Sequence, residues 1–153
     1  MIKQKNQIMR FTVLLFLAFS CQLGLSQNCI PTAIIFTTQQ QVDNFPSDYL
    51  GCTIIDGSVG ISGSVNNLDS LINITQIGGN VLISNVSTLN DISGLSNVTK
   101  ISGFLTFENL PQLTNVSGLE SLTSVSLDLI MDNIQFTNLD ALSSLDTRER
   151  LDS

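Results

Sequence analysis

The chain has 153 residues, enough for one domain, with 6 Lys and Arg against 13 Asp and Glu and no His. Without His there is no usual base for a Ser or Cys nucleophile, and the commonest zinc ligand is missing. The acidic balance, formally −7, argues against nucleic acid or anionic membrane as partners, since both need a basic patch. It reads as a solvated acidic surface.

In chain order, Met1–Arg10 carries Lys3, Lys5 and Arg10, Phe11–Phe19 is an apolar run, and Gly24-Leu25-Ser26 supplies small residues. This sequence of regions predicts a secretory signal peptide over 1–26, cleaved after Ser26. A membrane anchor is the alternative, but the apolar run is about half of the roughly 20 residues that a span needs. A lipoprotein with Cys21 as the lipid-bearing residue is a third option, disfavoured by bulky Phe19 where such sites want a small residue. Cleavage leaves three cations (Lys100, Arg148, Arg150) against thirteen acids, formally −10, with no transmembrane segment and a secreted or cell-surface location.

Export also fixes the cysteine reading. Cys29 and Cys52 remain, and an even pair in an oxidising compartment predicts one disulfide. It closes a loop of about 22 residues, worth roughly 3 kcal/mol in the chain-entropy model. Two Cys with no third soft ligand cannot fill a zinc shell, so no metal or other cofactor is expected. Residues 27–52 are expected to form an N-terminal cap. Within it a helix is predicted over Thr38–Phe45, where Thr38 and Gln41 have the spacing of a capping box and Val42 and Phe45 share one face.

From 53 to 145 the chain repeats itself. Ile55–Ile61, Ile77–Ile83, Ile101–Phe107 and Val125–Met131 align, each with apolar residues at alternate positions, the mark of a half-buried strand. Gly57, Gly79 and Gly103 share one slot that Leu127 breaks. Between these segments the apolar period is three: Val65, Leu68, Leu71, Ile74; Leu89, Ile92, Leu95, Val98; Leu113, Val116, Leu119, Leu122; and Phe136, Leu139, Leu142, Leu145. Period three is neither α nor β and suggests short straight pieces joined by corners. The predicted fold is mainly β: a right-handed parallel β-helix, or solenoid, of 22–24-residue coils with a short N-terminal capping helix. Parallel stacking would align Asn85, Asn109 and Asn133 in one column and Thr75, Thr99 and Thr123 in a second. Gly94, Gly118 and Ala141 would form a third, of small residues at a tight corner. Residues 146–153 include Arg148 and Arg150, which have no counterpart in the repeats. They are expected to be an irregular tail of a truncated or frame-shifted product, or of a piece of a longer protein. An uncapped last coil would expose strand edges and core, favouring end-to-end association.

The stretches Phe36–Pro46 and Gly51–Gly57, and the recurring phrase Leu-x-x-Ile-x-Gly-Leu-x-x-Val-x-x-Ile-x-Gly over Leu89–Gly103, resemble receptor L domains. The phrase recurs in looser form over Leu113–Val125, and the resemblance runs from about Cys29 to Leu145. It looks closest to secreted bacterial surface members of the family. The resemblance implies a leucine-rich-repeat-like β-helix and a binding or adhesive role, toward a protein or a glycan at the cell surface. No ligand residue can be carried over, because contacts in the family follow no shared motif.

Little else carries chemistry. No Gly-x-Ser-x-Gly occurs, so no catalytic residue is assigned. Glu108 and Asp132 are 24 apart and expected to be neighbours, the one pair that a carbohydrate-active β-helix enzyme could use; two solvated acids are the simpler reading. A lyase would want Arg or Lys over a carboxylate-bound Ca²⁺, and only Lys100 lies within the repeats. Asp56, Asp69 and Asp91 are too scattered for a calcium loop. Sequons at Asn73, Asn85, Asn97 and Asn115 follow from a repeat rich in Asn and Thr. The expected function is a non-catalytic secreted or cell-surface binding or adhesion module, part of a longer protein. The alternatives are a β-helix carbohydrate-active enzyme, and a structural spacer or gene remnant.

Overall fold

The computed structural model describes residues 27–146. The expected signal peptide, Cys21 and the basic tail residues lie outside that range. Among the described residues the chain is mainly β, with ten strands in two parallel sheets and one α-helix. Sheet A joins β1 (Gln27–Cys29), β3 (Cys52–Ile55), β5 (Gln76–Ile77), β7 (Lys100–Ile101) and β9 (Ser124–Val125) in that order. Sheet B joins β2 (Ala33–Thr38), β4 (Ser58–Ser64), β6 (Val81–Ser84), β8 (Leu105–Glu108) and β10 (Leu129–Asp132).

This corrects the expected right-handed β-helix. Each segment expected as one strand is two, broken at a corner and hydrogen-bonded into different sheets: Ile77 pairs with Ile101 in sheet A, while Val81 pairs with Leu105 in sheet B. The break falls at the shared glycine slot. A Cβ on Gly79 would run into Ser58 and the Gly57 carbonyl carbon, and one on Gly103 into Asn80 and Gly79. At this corner one unit lies too close on the last for a side chain to fit between them. Nor do the period-three stretches form a third sheet wall. They are successive i→i+3 turns: Leu71 N–H donates to the Leu68 carbonyl at 2.8 Å and Ile74 to Leu71 at 2.9 Å, with Leu95 and Val98 doing the same at 2.9 and 2.8 Å. Short 3₁₀ helices form at Asp69–Leu71, Ser93–Leu95 and Asp140–Leu142. Side chains three apart eclipse in that geometry, so period three is its natural hydrophobic pattern.

The apolar positions of both periods converge on one core. Ile55, Val59, Ile61, Leu68, Leu71 and their counterparts through Leu122 are buried. The last unit differs. Val125, Leu129, Met131, Phe136 and Leu142 are only half-buried, although Phe136 still sets its ring edge-on to Phe107 at 5.7 Å. Leu127, in the glycine slot, turns its side chain to solvent at 49% exposure.

At the other end α1 (Gln39–Asp48) brings Val42 and Phe45 into the same core, where Phe45 meets Phe36 edge-on at 5.9 Å. Thr38 is its N-cap and the box with Gln41 is complete. The helix runs three residues past Phe45. The segment expected as a cap also contributes the first strand of each sheet, β1 and β2, and the Cys29–Cys52 disulfide ties β1 to β3 with Cα atoms 5.7 Å apart.

Columns of like residues hold the units in step. Thr75, Thr99 and Thr123 each donate both N–H and hydroxyl to the carbonyl one unit back, at 2.8 to 3.1 Å, with the Thr53 carbonyl as the first acceptor. At the small-residue corner a Cβ on Gly94 would collide with the Leu68 carbonyl, and one on Gly118 with that of Ile92. Gly94→Ala is expected to lower stability by about 1–3 kcal/mol through this overpacking, read as a lower urea midpoint at unchanged slope. An unshifted midpoint would show that the turns do not approach so closely.

Candidate functional site

Sheet B offers the larger outward face, since its strands run to 4–7 residues where β5, β7 and β9 have 2. Alternation along a strand sends every second side chain outward, and the register shows which ones line up. Ile35 pairs with Gly60, Gly60 with Leu82, Leu82 with Thr106, and Thr106 with Ile130. The result is a row across all five strands, roughly 19 Å long at the usual strand spacing. Ile35, Leu82 and Ile130 are 63%, 42% and 41% exposed. Gly60 and Thr106 lie lower between them as two notches. A Cβ on Gly60 would only touch Ile35, at 3.4 Å, so the first notch is open space on a ridge.

The row has an acidic flank. Ser84, Glu108 and Asp132 are in register beside it. Sheet A has no matching apolar row: Gln76, Lys100 and Ser124 point outward there. Lys100 is the one cation among the described residues, so the electrostatic field around sheet B is negative.

Glu108 and Asp132 are thus brought together on adjacent strands, as expected, but on an open face. Glu108 accepts from the Asn109 amide at 3.3 Å; it is half-buried and Asp132 is exposed. Several other acids hold backbone or neighbouring side chains. Asp91 accepts from Ser93 N–H at 2.7 Å, and Asn67, Asn115 and Asn138 do the same for Asp69, Ser117 and Asp140 at 3.2, 2.9 and 2.6 Å. This column of Asn and Asp caps the turn in each unit and was not recognised in the sequence. Its signal was present as Asn or Asp at 67, 91, 115 and 138. Asp56 accepts from Asn28 at 2.9 Å. Among the described residues no group of three or more His, Cys, Asp or Glu could hold a metal ion. Of the sequon asparagines, Asn97 donates to the Ile72 carbonyl at 2.8 Å and Asn85 accepts from Asn109 at 3.1 Å.

The family model described as Receptor L domain matches residues 51–109, which span β3 to β8 and the middle of the apolar row. The match selects no branch within that family. No curated protein and no solved structure matches the chain significantly. Among the described residues no helix is long and apolar enough to cross a membrane.

Like charges directly opposite on paired strands repel. Glu108→Gln is therefore expected to raise stability by about 0.2–1 kcal/mol in low salt, with the gain fading as salt is added. A loss of stability in urea titration would mean that the bond from the Asn109 amide outweighs the repulsion from Asp132.

Proposed function

We propose that this chain is a non-catalytic extracellular binding module that holds a protein ligand on the outer face of sheet B. The observation that carries the reading is the in-register row Ile35–Gly60–Leu82–Thr106–Ile130, apolar side chains on a face that faces solvent. Three large apolar residues aligned across five strands serve neither the core nor solubility. An exposed apolar patch of this kind on a folded domain marks an interaction surface.

The receptor L domain match over 51–109 supports a binding role. The Cys29–Cys52 disulfide supports an oxidising compartment outside the cytosol, and export would rest on the charged and apolar segments of residues 1–26. The acidic flank favours a partner with apolar side chains bordered by Lys or Arg, because complementary charge speeds encounter and sets orientation.

The disulfide-bonded chain, displayed as a multivalent probe on an array of extracellular proteins, is expected to capture a partner. Leu82→Glu should weaken that capture at least tenfold, about 1.4 kcal/mol, while moving folding stability by no more than about 0.5 kcal/mol, as for an exposed position. A partner that binds the variant as well as the original chain would remove sheet B as the site.

A further inference from the structure

Where the last three units leave sheet B the chain turns through the left-handed region at an asparagine, with φ of 57° at Asn85, 52° at Asn109 and 50° at Asn133. Asn tolerates this conformation better than other residues that carry a side chain. Their amides form a ladder: Asn109 donates to Asn85 at 3.1 Å, and Asn133 donates to Asn109 at 2.6 Å. A second column, Ser87, Pro111 and Gln135, runs beside the first, and together the two wall a groove of about 390 Å³. That volume falls within the range of small-ligand sites.

The turn explains the asparagines. It does not explain the rest of the groove. Every lining side chain is uncharged. Among the described residues the Ser87 hydroxyl, the Gln135 amide, the Asn85 amide nitrogen and the Asn133 amide oxygen have no hydrogen-bond partner. Free donors and acceptors therefore lie together along one line, where the wall residues recur at each unit.

We infer that this groove binds a short stretch of a linear neutral glycan. Phosphate, carboxylate and metal ligands find no charge there to hold them. Hydroxyls, each a donor and an acceptor at once, match the mixed wall. The units repeat at about 4.8 Å, close to the length of one ring in an extended pyranose chain, so successive rings meet successive units. An extended peptide advances only about 3.4 Å per residue, so its residues fall out of step with the units. The Pro111 ring offers an apolar surface for the C–H face of a sugar. This site is separate from the sheet B face and does not depend on it.

The test is a titration of the isotope-labelled, disulfide-bonded chain with cellotetraose, followed by nuclear magnetic resonance. The side-chain amide signals of Asn85, Asn133 and Gln135 are expected to shift and saturate. Gln135→Ala should weaken binding about fivefold, the worth of one net hydrogen bond. Asn109→Gly, which keeps the positive-φ turn but removes the middle amide, should also weaken it. Leu82→Glu should leave it unchanged, which separates this groove from the protein-binding face. Absence of shifts, shifts indifferent to Gln135→Ala, or equal shifts with the tetrapeptide Gly-Ser-Gly-Ser would overturn the inference.

Discussion

The backbone of Thr99 donates to the carbonyl of Thr75 at 2.8 Å, and that of Thr123 to Thr99 at 2.9 Å, with each hydroxyl reinforcing the bond. These contacts express the constraint behind the whole structure: each unit lies in fixed register over the one before it, 24 positions earlier for the strands from Lys100 to Asp132 and 22 or 25 in the first units. With that register, Ile77, Ile101 and Val125 fall in line in sheet A, and Val81, Leu105 and Leu129 in sheet B. A slip of one residue would send the aliphatic positions of every strand outward. The apolar core and the outer row of sheet B are two faces of the same register.

Much of this register could be read from the residues. The steps Asn85 to Asn109 to Asn133 and Thr75 to Thr99 to Thr123 gave the columns, and Thr38 with Gln41 gave the helix start. What could not be read was how each unit bends. Alternation over Ile77–Ile83 looks like one strand because its apolar positions stay two apart across the corner. Only the near-contact of Gly79 with Ser58 shows that the direction changes there and that two sheets result. The period-three runs were legible as a pattern but not as i→i+3 turns, because 3₁₀ runs this extended are uncommon and the same spacing also fits short straight pieces joined by corners.

The candidate site was less visible. Ile35, Leu82 and Ile130 are ordinary residues one by one, and a lone exposed aliphatic means little. They become a site only when the pairing sets them in one row, and that pairing is long-range information. The acids suffered the opposite error of emphasis. Asp91 and Glu108 attract attention in a chain without His, yet one caps a turn and the other stands on an open face beside Asp132. What the repeat builds by addition is a row of side chains across sheet B, one from each strand.

The register itself can be measured through the hydrogen bonds that define it. Scalar couplings across hydrogen bonds in the labelled chain are predicted to link the amide nitrogen of Thr99 to the carbonyl carbon of Thr75, and that of Thr123 to Thr99. Correlation of either amide with a carbonyl at any other separation would contradict the stacking, and with it both the core and the apolar row.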